Sequence, residues 1–296
     1  MKINHKNNQY FDGKTQVNKI GTGDSFYEPK FIKSKREQMD IFNALMNEVE
    51  FKQMFNISPG NDLYPLPRLV AAQTFYDDNR GIPIYRMPGC NESNIKTKPW
   101  TKTVKEIRDR ASKMLNQEFN HCVIGLFRNE KDSLAYHKDK LLDLEKDSVI
   151  ISVSFGAPRP IIFKSEKNGN EQTVLLNPGS ILVFGQDTNH KYKHEIPKLT
   201  NEIGPRISLS FRTVDSKIKF SDEKNEDGKN ELIKIIGNGN AHQCENYPFI
   251  KSFNDVAQYT DKMMEKYNFY KNAATEDVKN IRNKLYTDLS ENQLSN

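Results

Sequence analysis

The chain has 296 residues, enough for one large domain with appendages or two modest ones, and 44 Lys+Arg against 39 Asp+Glu give a formal net charge of +5. Its three cysteines (Cys90, Cys122 and Cys244) form no CxxC pair, which excludes a disulfide framework and a cysteine-based zinc module. The sequence also has no apolar signal region and no apolar stretch near the ~18 residues of a membrane span, so we expect an intracellular protein, cytoplasmic or nuclear, without membrane contact.

The first third of the chain predicts two helices joined by loops and short strands. Residues 1–32 are polar and aperiodic, which predicts a loose arm. A capping-box pattern that begins at Ser34 precedes an apolar stripe and predicts a helix over residues 34–55. Residues 57–100 are rich in Pro, Gly and Asn and predict short strands and loops. A second capping box, at Thr103, predicts the next helix.

Residues 121–214 predict a core of β-strands. Short runs rich in β-branched and aromatic residues are separated by Asn-Gly and Pro-Gly turn sequences. The runs are HCVIGLF, VIISVSF, PIIFK, TVLL, SILVFG and RISLSFR. In the last run, polar and apolar residues alternate without exception, as they do when the two faces of a strand meet different surroundings. Strands of this length and spacing predict an antiparallel sandwich or jelly-roll barrel.

The last quarter of the chain predicts an extension of the core. Residues 216–240 are charged and poor in core residues, which predicts a mobile linker. Two later apolar patterns, one reaching Met263 and one opened by Thr275, predict a small helical hairpin. We therefore divide the chain into an N-terminal arm and helix (1–55), a core domain (56–215), and a charged linker with a helical extension (216–296).

A His-x-Asp pair and a later histidine are candidate metal ligands. His137 and Asp139 project to one face in an extended backbone, although this pair alone occurs often by chance. His194 comes 55 residues after Asp139, beyond a predicted hairpin that can return the chain alongside. Two histidines and one carboxylate form the facial set that suits non-haem Fe(II) and leaves coordination positions open.

Two arginines are candidates for binding an anion. Arg206 and Arg212 are six residues apart in one predicted strand, so they share a face. Two guanidinium groups on one sheet face are costly unless they meet anions, and a dicarboxylate cosubstrate supplies these. The alternative is that both arginines lie on the solvated side of an edge strand.

Four segments containing these motifs, taken in order, resemble the AlkB family of Fe(II)/2-oxoglutarate dioxygenases. They are FNHCVIGLFRNEKDSLAYHKDK, VIISVSFGAPRPIIF, LLNPGSILVFGQDTNHKYKHEIP and GPRISLSFR. The resemblance spans about Pro67 to Thr213 and includes Lys98-Pro99-Trp100 before the second helix. It implies an α+β fold in which a double-stranded β-helix, or jelly-roll, core is flanked by N-terminal helices and a C-terminal helical extension. Residues 56–215 are then the dioxygenase domain with its nucleotide-recognition region.

The resemblance also implies the catalytic metal site. His137, Asp139 and His194 correspond to the iron ligands. His190 competes for the place of the third ligand, but the Glu-Ile-Pro that follows His194 matches the family motif. The implied cofactors are Fe(II), 2-oxoglutarate as cosubstrate, and O2.

The same resemblance assigns residues to the cosubstrate and the substrate. It implies that two arginines hold the 2-oxoglutarate carboxylates and that three further residues lie on the cosubstrate side, these being Arg206, Arg212, Leu126, Phe127 and Ser208. It places four residues in the substrate-binding region, namely Arg68, Tyr85, Met87 and Trp100. For Trp100 the alternative is a core residue, because indole buries a large area.

Some positions depart from the family pattern. Gly125 and Phe127 stand where the family usually offers Asn and Tyr to the cosubstrate, and Ser208 replaces a frequent Asn. Each missing hydrogen bond is worth about 0.5–1.5 kcal/mol, so we expect weaker cosubstrate binding. Leu141 stands where base-repairing members often carry a carboxylate, which leaves the target base open.

The implied function is oxidative demethylation of N-alkylated bases in DNA or RNA, with release of aldehyde, succinate and CO2. The partner is then a nucleic acid with a single-stranded or flipped-out base, bound by a monomer. Seven basic residues within 96–113 either track phosphates or form a solvated helix face. Two alternatives are a 2-oxoglutarate-dependent hydroxylase or demethylase of a protein or small molecule, and a catalytically silent binding module. The intact ligand and arginine set argues against silence.

Overall fold

The structure is a computed structural model that describes residues 9–12, 14–57, 63–75, 81–83, 85, 97–224, 230–236 and 261–294. The helices are α1 (Lys35–Glu48), α2 (Lys102–Leu115), α3 (Gln186–Lys191) and α4 (Asp261–Leu294). The strands are β1 (Gln9–Phe11), β2 (Val17–Ile20), β3 (Ser25–Glu28), β4 (Lys52–Ile57), β5 (Leu63–Thr74), β6 (Ile82–Pro83), β7 (Lys98–Pro99), β8 (His121–Phe127), β9 (Leu134–His137), β10 (Ile150–Gly156), β11 (Arg159–Ser165), β12 (Glu171–Leu176), β13 (Ile181–Phe184), β14 (Tyr192–Ile196), β15 (Arg206–Arg212), β16 (Lys217–Lys224) and β17 (Asn230–Ile236).

Strands β8 to β15 form the core of the molecule. A large sheet contains the order β13-β10-β15-β8, and a small sheet contains the order β12-β11-β14-β9. Successive strands pass from one sheet to the other, except for the β11–β12 hairpin, which stays within the small sheet. This alternation of antiparallel strands between two sheets is the double-stranded β-helix. The predicted α+β fold with a jelly-roll core is therefore confirmed.

The large sheet separates a helical layer from the small sheet. On β8, β10 and β15 every second side chain faces a cluster shared with α1, α2 and α4, which includes Leu126, Ile151 and Leu209. The alternate side chains face the small sheet, where Phe127 and Ile150 pack in a second cluster. Polar residues on this inner face, which the alternation in the sequence reveals, therefore point between the two sheets.

The N-terminal segment is part of both sheets, so the prediction of a loose arm over residues 1–32 is wrong for its described part. β1 pairs with β12 of the small sheet, and β3 pairs with β2 and with β13 of the large sheet. Ile20 and Tyr27 are fully buried. Their burial at the sheet edge explains the order of a segment that has too few apolar residues to show a clear period.

The two predicted N-terminal helices are present, but the first ends at Glu48 instead of reaching residue 55, because Lys52–Ile57 form β4, and the start of the second is corrected. Ser34 caps α1, and its hydroxyl accepts the Glu37 amide at 3.3 Å. α2 begins at Lys102 after Thr101, so the capping box predicted at Thr103 is wrong. The Thr103 hydroxyl instead donates to Glu48 of α1 at 2.6 Å, which joins the two helices.

Two C-terminal predictions also differ from the structure. The predicted linker contains β16 and β17, which pair as an antiparallel hairpin, because Ile218 and Phe220 alternate with lysines in a strand-like pattern. Instead of a helical hairpin, α4 is one continuous helix in which Thr275 is an interior residue bonded to the Lys271 carbonyl. None of the helices in the described ranges is long and apolar enough to span a membrane.

Candidate active site

Two neighbouring strands of the small sheet position the predicted metal ligands. His137 ends β9, Asp139 follows two residues later, and His194 lies on β14. β14 pairs antiparallel with β9 in a register that sets His194 opposite His137, and their ring centroids are 4.2 Å apart. The three side chains offer ligand atoms that all lie within 4.8 Å of one another. The fold thus brings together residues that are far apart in the sequence.

Both histidines are held in forms that suit metal binding. Nδ1 of His137 lies 2.9 Å from the Ala135 carbonyl oxygen, so it donates its hydrogen there and leaves Nε2 free. His194 is buried, and this burial together with the nearby His137 lowers its pKa to about 3. The His194 ring is therefore neutral near pH 7 and keeps a lone pair for a cation.

Asp139 is a buried carboxylate with a charged partner. Burial alone would raise its pKa, but the guanidinium of Arg212 holds the pKa well below its usual range. The Arg212 Nη2 atom donates to Oδ2 of Asp139 at 2.6 Å. Asp139 is therefore ionised and fixed in direction, as a metal-binding carboxylate must be.

His190 is not part of this cluster. It lies on α3 with an exposed side chain, and its carbonyl oxygen accepts a hydrogen bond from Lys138 Nζ at 2.6 Å. The competition between His190 and His194 for the third ligand position is thus decided by geometry in favour of His194.

Arg206 is a buried cation on the same face of β15 as Arg212. It is 1% exposed and donates to the Ser154 hydroxyl at 2.9 Å and to the Ser208 hydroxyl at 3.4 Å. Among the described residues no carboxylate pairs with it, and its Nε atom has no hydrogen-bond partner. Burial and the nearby Arg159 lower its pKa to about 9. A buried guanidinium in this state calls for an anion beside it.

One cavity of about 350 Å³ joins these features. All three candidate ligands line it, together with Arg206, Arg212 and Ser208. Its volume lies in the range of pockets that hold small molecules. The solvated-edge alternative for the two arginines is therefore wrong, because both are buried at the centre of the large sheet and face this cavity.

The chain matches the 2OG-Fe(II) oxygenase superfamily over residues 25–212, which is more than half of its length and contains every residue of the cavity named so far. The chain belongs to this superfamily. Members use Fe(II), 2-oxoglutarate and O2 and are oxidoreductases, so the predicted enzyme class and cofactors are confirmed. The AlkB resemblance is confirmed by two alkB homologues among the relatives that follow.

Three named relatives show which oxygenases this chain is similar to. The chain is 28% identical over 190 residues to "DNA oxidative demethylase ALKBH2" of Bos taurus, covering 61% of this chain and 66% of that protein. It is 29% identical over 198 residues to "Alpha-ketoglutarate-dependent dioxygenase alkB homolog 3" of Homo sapiens, covering 63% and 64%. "Uncharacterized protein R406" of Acanthamoeba polyphaga mimivirus is 26% identical, covering 61% and 91%. The chain thus spans slightly less than two thirds of the bovine relative.

The residues present fit the cofactors of the superfamily. Two imidazoles and one carboxylate are donors that Fe(II) accepts, and they converge from one side. The unpaired Arg206 suits a carboxylate of 2-oxoglutarate. The two arginines differ here, because Arg212 already has a carboxylate partner in Asp139. Arg212 lines the cavity as well, and its contact with the cosubstrate stays a prediction.

Two residues assigned to the cosubstrate lie on opposite faces of β8. The Phe127 ring lines the cavity between two guanidinium groups, 5.2 Å from that of Arg206 and 5.4 Å from that of Arg159. Leu126 points the other way into the helix-side cluster, so its side chain cannot contact the cosubstrate and this assignment is wrong. The period of two along a strand explains the error, since neighbouring residues never share a face.

Of the four residues assigned to the substrate, two line the cavity, one does not, and one lies outside the described residues. Arg68 and Tyr85 line the cavity, and the Arg212 guanidinium lies 4.4 Å from the centre of the Tyr85 ring. Trp100 lies with the helix-side cluster, 6.1 Å from the Phe211 ring centre, so the core alternative is correct for it. Met87 is outside the described residues.

The basic helix does not border the cavity. α2 buries Val104 and Ile107 against the outer face of the large sheet, on the side opposite Phe127. Several of the seven basic residues also pair with carboxylates, namely Lys98, Lys105, Arg108 and Arg110. The position of this helix favours a solvated helix face over a phosphate track beside the active site.

Sequence reasoning missed several residues that shape this site. Asn56 and Ser152 line the cavity, and the Ser152 hydroxyl lies 3.0 Å from that of Ser208. Asn189 is bonded to the backbone of Asp139. Ser152 belongs to the predicted strand run VIISVSF, but nothing in that run indicates its role, and the sequence around Asn189 carries no periodic pattern.

Proposed function

We propose that this oxygenase removes N-linked alkyl groups from bases of DNA or RNA by oxidation. The observation that carries the proposal is one cavity whose lining combines the His137–Asp139–His194 cluster with Arg206, which has no carboxylate partner among the described residues, and with Arg68. The bovine and human relatives named above, one of them a "DNA oxidative demethylase", support a nucleic acid as the substrate.

When held by these residues, Fe(II) and 2-oxoglutarate would supply the oxidising chemistry, in which one oxygen atom of O2 enters a C–H bond next to nitrogen and the other enters succinate as CO2 is lost. The hydroxylated alkyl group then leaves as an aldehyde, and the nitrogen regains a hydrogen. The role of the protein in this reaction is to hold the three reactants in order.

Side chains that line the cavity hold the reactants in position. Arg206, with the Ser154 and Ser208 hydroxyls around it, would hold a carboxylate of 2-oxoglutarate. Arg212 keeps Asp139 ionised and directed at the cation. Apolar residues complete the walls and exclude water from the reacting atoms, among them Ile150, Ile161, Leu176, Phe184 and Ile196.

We infer that the substrate enters past Asn56 and Arg68, which are partly exposed lining residues, and that the buried Tyr85 ring lies deeper, beside Arg212. A base stacked in a duplex cannot reach ligands that are buried in a cavity, so the target is single-stranded or flipped out. Asn56, Arg68 and Tyr85 offer an amide, a cation and an aromatic ring along this path, which suit a base edge and a phosphate. We also infer that the protein acts as a monomer inside the cell, where its three cysteines stay reduced.

A product analysis tests this proposal. The protein, Fe(II) and 2-oxoglutarate are incubated in air with a panel of DNA and RNA oligonucleotides that carry different N-methylated bases, and nucleosides are measured by mass spectrometry. We expect loss of at least one methyl group with equal amounts of succinate and formaldehyde. Succinate formed only with peptides or metabolites contradicts the proposal and supports the hydroxylase of a protein or small molecule.

A further inference from the structure

The backbone of Asp139 is held by a side chain that no sequence motif assigns. β9 ends at His137, so Asp139 lies beyond the last strand residue of the metal-binding pair. Its amide nitrogen donates to Oδ1 of Asn189 at 2.9 Å, and its carbonyl oxygen accepts from Nδ2 of Asn189 at 2.9 Å. The primary amide of Asn189 thus makes the two backbone hydrogen bonds at Asp139 that a neighbouring strand would otherwise make.

This pairing has strict chemical requirements. Asn189 is 2% exposed, so water cannot substitute for either hydrogen bond. Among side chains in their usual ionisation state at pH 7, only a primary amide offers one acceptor and one donor side by side without a charge. Aspartate at this position would lose the donor and set a carboxylate against the Asp139 carbonyl, although its shape is the same.

The helix that carries Asn189 is anchored to the N-terminal segment. The carboxylate of Asp24, in the turn between β2 and β3, accepts the amides of Asp187 and Thr188 at 3.1 and 3.3 Å, at the start of α3. It also accepts the Thr188 hydroxyl. The approach is close, because a Cβ atom added at Gly185 would lie 2.1 Å from Oδ2 of Asp24. A side chain at position 185 would therefore displace the Asp24 carboxylate from the start of α3.

We propose that Asn189 is a positioning residue that sets Asp139 in line with the two histidines, and that Asp24 holds Asn189 in place by fixing α3. This inference rests on the iron site of the proposed function. It makes residues near the N-terminus, far in sequence from any ligand, determinants of metal affinity. Groups that orient metal ligands in this way typically change metal affinity by about 10- to 100-fold when they are altered.

Metal titration tests the proposal without any substrate. Mn(II), which takes the same nitrogen and oxygen donors and is stable in air, is titrated calorimetrically into metal-free wild type and Asn189→Asp. We expect Asn189→Asp to bind Mn(II) about 10-fold or more weakly. The matched control is Asp187→Asn, an exposed position on the same helix, which should bind with wild-type affinity. Equal affinities of wild type and Asn189→Asp overturn the proposal.

A second variant keeps the test decisive if Asn189→Asp does not fold. Asp24→Asn should weaken Mn(II) binding in the same direction but less, about threefold, since it acts through α3. Thermal unfolding of the metal-free proteins is measured in parallel. An Asp24→Asn protein that melts earlier but binds Mn(II) like the wild type shows a purely structural role and overturns the link. If the variants weaken Mn(II) binding as expected but the wild type removes no methyl group in the demethylation assay, the proposed function is refuted and the role of Asn189 is not.

Discussion

Each end of the active-site cavity carries a buried arginine, but only one of the two arginines has a carboxylate partner among the described residues. At the metal end, Arg212 is paired with the buried Asp139 at 2.6 Å. At the other end, Arg206 is equally buried but has hydroxyl partners and no described carboxylate. Both arginines lie on one face of β15, so strand position alone does not determine their roles. The difference indicates that the protein completes one charge pair itself and leaves the other to its cosubstrate.

The largest expected effect is at the metal end. His194→Ala removes a ligand nitrogen, and we expect turnover to fall by about 10³-fold or more, to background. His190→Ala is the control, because this exposed side chain lies outside the cluster and the variant should keep wild-type turnover. The measurement is succinate formation with a methylated oligonucleotide. The reverse outcome would show that the third ligand is assigned wrongly.

Replacing each arginine by methionine compares the two ends by stability. Arg212→Met leaves Asp139 buried and unpaired, and we expect a loss of about 3–5 kcal/mol in the free energy of unfolding. Arg206→Met removes a buried cation that has no acid partner, so the unfolding free energy should stay constant or rise. Urea denaturation of the metal-free proteins at pH 7 measures both. Equal losses for the two variants would remove the distinction drawn here.

The cosubstrate requirement tests the other end directly. Arg206→Ala should raise the 2-oxoglutarate concentration needed for half-maximal turnover by about 100-fold, because a buried charge partner of the carboxylate is lost. Mn(II) affinity serves as the internal control and should change little, since Arg206 does not contact the ligand cluster. An unchanged 2-oxoglutarate requirement would count against the anion-binding role.

The lowered pKa of Arg206, about 9, also predicts a pH dependence. Below pH 9 the guanidinium is charged and binds the carboxylate, and above it the affinity for 2-oxoglutarate should fall about tenfold per pH unit. Over the same range the unfolded state keeps a proton that the folded state releases. This group therefore increases the free energy of unfolding as the pH rises above 9. A flat affinity profile between pH 8 and 10 contradicts this prediction.

The smallest effect concerns the ring between the two guanidinium groups. Phe127→Tyr restores a hydroxyl on the cavity side, where family members usually provide one, and should lower the 2-oxoglutarate requirement by about 2- to 10-fold, the value of one hydrogen bond. Leu126→Met is the matched control on the opposite face of β8 and should leave the requirement unchanged. Steady-state kinetics at several 2-oxoglutarate concentrations measure both variants.

The features predicted correctly are those that depend on local periodicity or on spacing. Alternation placed Arg206, Ser208 and Arg212 on one face, and the metal ligands followed from His-x-Asp and a later histidine. Contacts between segments that are far apart in the chain leave no periodic pattern in the sequence, so they could not be predicted from it. The pairing of Arg212 with Asp139 depends on how β15 lies relative to the loop after β9.

The errors have the same physical origin. The resemblance assigns Leu126 and Phe127 together because both belong to the cosubstrate strand, although adjacent strand residues face opposite sides. The N-terminal strands were missed because a few deeply buried residues, such as Tyr27, fix an otherwise polar segment. Leu141, which replaces a family carboxylate, packs against the cluster between the sheets, and the sequence alone gave no reason for this.

Helix α4 has a practical consequence for producing the protein. It lies outside residues 25–212, where the superfamily matches, yet Ala274 and Val278 are buried in the helix-side cluster. The tilted ring of Tyr267 packs against that of Phe55 with 5.1 Å between the ring centroids, and Arg282 Nε donates to the Met46 carbonyl oxygen at 2.8 Å. A chain cut back to the superfamily limits would leave this apolar surface open to water and prone to aggregate during expression.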